Sequence, residues 1–175
     1  MRITISGPPG SGKSTVCKML SDRLGIECVI SGMVFREMAK EQGLDLEEFG
    51  KLAELQPRFD RLLDERMVRT AKEKKNVILE GRLTAYMLSR NGIRATKIFL
   101  HADIDIRAKR IAGREGIDVR EAKRRILERE ECEASRYRNF YGIDLSDKSV
   151  YDLVIDTTNL SPEQVVDIII SHLEA

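Results

Sequence analysis

Five short apolar runs punctuate the chain, at residues 2–6, 27–30, 76–80, 96–101 and 152–156. They are rich in Ile, Val and Leu and do not alternate strictly, which is the pattern of strands covered on both faces. Between them apolar positions recur every three to four residues. Strands alternating with helices predict an α/β fold built on a parallel sheet with right-handed crossovers. Several helix starts are marked by side chains that can take up free backbone amides. Asp45 precedes Glu48, Asp118 precedes Glu121, and Ser161-Pro162-Glu163-Gln164 joins a capping serine to a first-turn proline and a capping-box glutamine.

Two stretches depart from this rhythm. Residues 31–75 contain no strand pattern and read as three helices, 33–42, 46–54 and 57–74, which is more than a crossover needs. Gly113-Arg114-Glu115-Gly116-Ile117 reads as a glycine-bounded break between helices at 104–112 and 119–140. Both are expected to be mobile flaps over a ligand.

The first strand runs directly into Gly7, Pro8, Pro9, Gly10, Ser11, Gly12, Lys13 and Ser14, followed by Thr15 and a helix expected over 15–24. This is the full G-x-x-x-x-G-K-[ST] loop in its strand–loop–helix setting, where backbone N–H groups converge on an anion. The glycines let the chain approach a triphosphate closely. Lys13 reaches the β- and γ-phosphates, and the Ser14 hydroxyl suits Mg²⁺.

With 30 basic and 29 acidic residues the net charge is +1, which gives no reason to expect nucleic acid or an anionic membrane as partner. No apolar stretch reaches membrane-spanning length. The first strand begins at once, leaving no room for a signal peptide, so a cytoplasmic protein is expected. Cys17, Cys28 and Cys132 are widely spaced and read as ordinary thiols in a reducing compartment. His101 and His172 form no metal cluster.

Phosphoryl transfer needs charge neutralisation and in-line positioning more than covalent chemistry. Arginine outnumbers lysine nineteen to eleven, and guanidinium forks suit phosphate clamping. Arg36 follows the end of the second strand, and Arg82 follows the third at its carboxyl edge, the ligand side of an open parallel sheet. Arg110 and Arg114 are four apart before the short break. Arg129, Glu133 and Arg136 share one helical face. Arg120, Arg124, Arg125 and Arg138 read as a solvated face. Glu80, ending a buried strand, is the acidic candidate for Mg²⁺, directly or through water. Asp22-Arg23-Leu24-Gly25 matches D-x-x-G in letters but lies at a helix end, and no N-K-x-D motif accompanies it, which excludes a GTPase.

The chain resembles the nucleoside monophosphate kinases, and among them the short archaeal type of cytidylate kinase. The resemblance is carried by residues 7–15, Ser31-Gly32 with Phe35-Arg36, Glu80-Gly81-Arg82, the 110–114 segment, the 129–144 block and Tyr151–Thr157. It implies a single domain over 1–175. The fold would be the P-loop three-layer α/β/α type, with a five-stranded parallel sheet, a helical monophosphate-binding insertion at about 31–75 and a short lid at about 110–120. The implied activity is ATP-dependent phosphorylation of CMP and dCMP with Mg²⁺, by a monomer. Residues 7–15 with Arg110 and Arg114 would hold ATP. Ser31, Arg36, Arg82, Arg129, Glu133 and Arg136 would hold CMP, with Arg129 and Glu133 at the ribose. Lys13, Arg114 and Arg136 would be catalytic. Larger bacterial cytidylate kinases carry Arg-Asp where this chain has Arg82-Leu83. That aspartate helps read cytosine; Leu83 cannot, so which residue recognises cytosine N4 and N3 is left open by the sequence. The rival readings are an adenylate kinase-like enzyme, a small-metabolite kinase such as shikimate kinase, and a nucleotide-switched regulatory module.

Overall fold

Strands this short and apolar need cover on both faces, and the chain supplies it. The computed structural model describes residues 1–175. Its strands are β1 (Arg2–Ser6), β2 (Cys28–Ile30), β3 (Val77–Glu80), β4 (Thr96–His101) and β5 (Leu153–Asp156), all parallel in the order β2-β3-β1-β4-β5. The helices are α1 (Lys13–Leu24), α2 (Ser31–Glu41), α3 (Leu46–Leu55), α4 (Pro57–Glu73), α5 (Thr84–Arg90), α6 (Ile104–Glu115), α7 (Val119–Tyr141) and α8 (Pro162–Glu174). On one face Val16, Cys17 and Leu20 of α1 and Val165, Val166 and Ile169 of α8 pack against Ile3, Ile5, Ile98 and Leu100. On the other, Val77 and Leu79 meet Met67 and Val68 of α4, Met87 and Leu88 of α5 and Tyr137 of α7.

The register places the functional edge. Ile5 and Ile30 both lie opposite Glu80, so β1, β2 and β3 end level and their loops leave from one side. Ser6 Oγ donates to Gly81 O at 2.7 Å, which ties the loops after β1 and β3 together.

The three helices expected between the second and third strands are present, and they carry a small core of their own in which Phe49 lies 4.7 Å from Phe35 and 5.0 Å from Phe59 between ring centroids. The expected caps form: the Asp45 carboxylate accepts from Glu48 N, the Asp118 carboxylate from Arg120 N and Glu121 N, and Ser161 with Gln164 closes a capping box.

Two expectations are corrected. The break over 113–117 narrows to 116–118, because α6 continues through Gly113 and Arg114 and stops at Gly116, whose left-handed φ of 66° ends it. Gly113 is an ordinary helical residue. The cysteines are not all thiols: Cys17 and Cys28 form a disulfide, with Cα atoms 6.3 Å apart, joining α1 to β2. Spacing along the chain hid this, because packing of α1 on the sheet brings the two together. Cys132 stays free and exposed.

Candidate functional site

Residues 7–12 form the loop between the carboxyl end of the central strand β1 and α1, and residues 13–15 open the helix. A Cβ at Gly7 would collide with the Leu100 carbonyl, and one at Gly10 would sit 2.8 Å from Arg107 O. Ser11 is buried and its hydroxyl donates to Pro8 O at 2.7 Å, so this side chain shapes the loop while Ser14 and Thr15 remain exposed. Helix α1 begins at Lys13, two residues earlier than its apolar periodicity indicates. Its first turn carries no acidic residue and Gly12 makes no side-chain cap. The free amides and the positive end of the helix dipole therefore point outward unneutralised, which favours an anion.

Lys13 Nζ donates to Pro8 O at 3.1 Å. Burial, with Arg82 and Arg129 beside it, lowers the Lys13 ammonium to about 7, against the opposing pull of Glu80 and Glu133. Glu80 is buried and pushed up by that burial, while Lys13, Arg82 and Arg129 hold it down. Three cations, Lys13, Arg82 and Arg129, thus converge with two carboxylates, Glu80 and Glu133. Arg82, 18% exposed, meets Glu133 Oε2 at 3.1 Å, and Arg129 Nε donates to Glu133 Oε1 at 3.0 Å. One buried carboxylate holds two arginines that the chain keeps 47 residues apart.

Two cavities flank this cluster. The smaller, 320 Å³, lies beside the loop and is lined by Gly10, Gly12, Thr15, Arg110, Arg114, Thr157 and Leu160. Arg110 donates to Gly10 O at 3.0 Å and to Thr157 O at 2.7 Å, docking α6 on the loop and on the end of β5. Arg114 is exposed at the rim. The other, 480 Å³, lies between the α2–α4 insertion and α7 and is lined by Phe35, Ala53, Asp60, Arg129, Glu133 and Arg136, among others. Glu133 also lines a 520 Å³ cavity over β4, walled by Phe99, Leu145 and Tyr151.

Most of the residues singled out in the sequence come together here, and two do not. Ser31 lies against Gly81 at the sheet edge. Arg36 stays exposed on α2 and lines none of these cavities. Arg136 shares the α7 face with Arg129 and Glu133, yet its Nε lies 2.8 Å from Asp60 Oδ2 on α4. Arg124 and Arg125 both pair with Glu121 at the surface, and Arg125 also lines the 480 Å³ cavity.

Four contributors were given no role in the sequence reading, although Thr157 ends one of the blocks that carry the resemblance. Arg107, 10% exposed, donates to Ala102 O and to Pro9 O and pairs with Glu130 at 2.5 Å, bracing α6 and α7 against the phosphate loop. Thr157 donates to Ser11 O at 3.0 Å. Asp60 faces Arg136, and Asp64 accepts from Tyr141 OH at 2.7 Å. Only the Asp60/Asp64 spacing of one turn on an amphipathic helix offered a signal.

The profile of the Cytidylate kinase-like family matches residues 2–159. The cytidylate kinase of Pyrococcus abyssi is 50% identical over 174 residues, covering 98% of this chain and 94% of that one. The cytidylate kinase of Methanocaldococcus jannaschii is 46% identical, covering 99% and 98%. Among solved structures, an uncharacterized protein from Eubacterium ventriosum superposes with a TM-score of 0.77 at 22% identity, covering 100% and 99%. Shikimate kinase from Aquifex aeolicus superposes at 0.61 and 25% identity, covering 99% and 96%. The likeness to these solved structures is one of fold: a three-layer α/β/α arrangement shared with P-loop kinases.

Proposed function

The chain belongs to the cytidylate kinase-like family, and from that premise we propose how its residues transfer the γ-phosphoryl group of ATP to CMP, giving CDP and ADP. Residues 7–15 cradle the triphosphate through backbone amides, with the base in the 320 Å³ cavity between Arg110 and Arg114. CMP or dCMP occupies the 480 Å³ cavity, its ribose toward Arg129 and Glu133 and its phosphate toward Arg136 and, beyond the cavity lining, Ser31 and Arg82. Arg36, exposed on α2, joins them only if the insertion closes. The observation that carries this reading is the shared field of Lys13 from the loop after β1 and Arg82 from the loop after β3, with Glu80, Arg129 and Glu133. Donor and acceptor phosphates meet where those charges converge.

No general base is needed. A phosphate monoester's second pKa is about 6, so its attacking oxygen is already ionised at neutral pH. Lys13 and the arginines act by stabilising charge that shifts toward the leaving oxygens. No group of three His, Cys, Asp or Glu side chains gathers in the molecule to cage a cation. That sparse oxygen set, Ser14 with the buried Glu80, fits Mg²⁺ carried in on the triphosphate. When bound, Mg²⁺ supplies charge neutralisation at the transferring group. The expected working unit is a cytoplasmic monomer with a core, an acceptor-binding region at about 31–75 and a lid at about 110–120.

A coupled diphosphate assay with ATP and each monophosphate in turn tests the reading. CMP and dCMP are expected to be the best acceptors, UMP weaker, AMP and GMP poor. Best turnover with AMP would replace this reading with the adenylate kinase-like one. ATP hydrolysis indifferent to every acceptor would point to the regulatory module.

A further inference from the structure

Leu83 is 3% exposed in the apolar cluster between the sheet and α4, so the position that reads the base in larger bacterial relatives is closed to ligand. We propose that the task has moved to Asp60, whose carboxylate accepts a hydrogen bond from an exocyclic amine of the acceptor base, as on cytosine N4. This rests on reading the 480 Å³ cavity as the acceptor site.

Four carboxylates line that cavity: Glu54, Asp60, Glu128 and Glu133. Glu133 is taken by Arg82 and Arg129. Glu54 and Glu128 are exposed, and Glu128 pairs outward with Arg124 at 2.6 Å. Asp60 remains: its side chain is 13% exposed, and Oδ2 lies 2.8 Å from Arg136 Nε in an ion pair that leaves this buried oxygen without a hydrogen bond. The carboxylate is thus held by charge alone, with hydrogen-bond accepting capacity unused in the wall of the cavity. The neighbouring Phe59 anchors this turn of α4 in the insertion core. Phe35 and Ala53 give the same cavity an apolar wall suited to a planar ring.

The chemistry separates the two pyrimidines. Cytosine presents an amine donor at position 4, whereas uracil presents a carbonyl oxygen that would face the carboxylate lone pairs. A site built around a buried acceptor rejects the ligand that lacks the donor, because the acceptor is then left unpaired.

The test compares kcat/KM for CMP and UMP at saturating ATP in the parent, Asp60→Asn, Asp60→Ala and Asp64→Asn, with melting curves for each. Asp64 is a half-buried carboxylate one turn along α4 that faces Tyr141 and a different cavity. Asp60→Asn is expected to lower kcat/KM for CMP roughly tenfold or more. It should also raise kcat/KM for UMP, since a rotated amide donates to O4, with KM for ATP unchanged. Asp60→Ala, which removes the acceptor without adding a donor, should lower the CMP-to-UMP ratio of kcat/KM, on top of any loss common to both nucleotides from freeing Arg136. Asp64→Asn should leave the CMP-to-UMP ratio at the parent value. Equal loss for both nucleotides in the two Asp60 variants would reduce Asp60 to a support for Arg136 and overturn the proposal, as would an unchanged ratio. A parent protein that favours AMP would remove the acceptor reading itself, a result seen without any variant.

Discussion

Asp60 and Asp64 differ by one helical turn and by what they face, and that decides their chemistry. Burial pushes the Asp64 carboxyl up to about 6; the Tyr141 hydroxyl and Arg136 lower it, and Asp60 and Glu65 add to the rise. Between the ordinary carboxylate value near 3.8 and about 6 the folded chain holds a proton that the unfolded chain lacks. Stability from this group is therefore present at low pH and lost as pH rises through that window. Asp64→Asn removes the titration and keeps an oxygen for Tyr141. Its stability relative to the parent should climb between about pH 4 and pH 6 and then level off, as read from urea midpoints. A gap that does not change with pH would show that Asp64 titrates normally. Arginines pose the same problem of identity: Arg107 and Arg124 look alike in the chain, yet one is 10% exposed under the phosphate loop and the other pairs with Glu121 in water. Residue type cannot separate them; depth does.

At the scale of elements, the insertion and the α6–α7 hairpin each close on a small apolar cluster separate from the sheet cores. Met38, Phe49, Ala53 and Phe59 hold the first, and Ala108, Ile111, Ala112, Ala122 and Ile126 hold the second. A unit with its own core can shift without dismantling the sheet, which suits closure over two nucleotides and exclusion of water. Hydrogen exchange should therefore show residues 31–54 and 111–117 gaining protection only with CMP and a non-hydrolysable ATP analogue together. Equal protection with no ligand, either ligand or both would count against closure. Elements with long periodic patterns were legible in the chain to within a residue or two at most ends. Helix α5, seven residues at Thr84–Arg90, was not singled out, because so short a run completes barely two turns of periodicity.

For the molecule as a whole, the Cys17–Cys28 bond closes a short loop from α1 to β2 on the α1/α8 side of the sheet. Reduction should lower stability by about 3 kcal/mol through the larger entropy of the opened unfolded chain. Cys28 stands at the amino end of β2, while the site lies at the carboxyl ends, so kcat should not change. A urea midpoint indifferent to reductant, or a collapse of kcat on reduction, would refute this placement of the bond's role.

The chain by itself determined the alternation of strands and helices, the phosphate loop, the enlarged insertion and the marked helix starts. Each of these depends on neighbours within a few residues, through apolar period, cap chemistry or glycine placement. Tertiary structure alone decided which ionisable groups meet. Glu133 holds Arg82 and Arg129, Asp60 faces Arg136, Arg107 braces the loop, and Cys17 finds Cys28. Charge and thiol partners are selected by distance in space and by burial, where low dielectric strengthens a near pair and penalises a lone group. Neither distance nor burial is written in the spacing of residues along the chain.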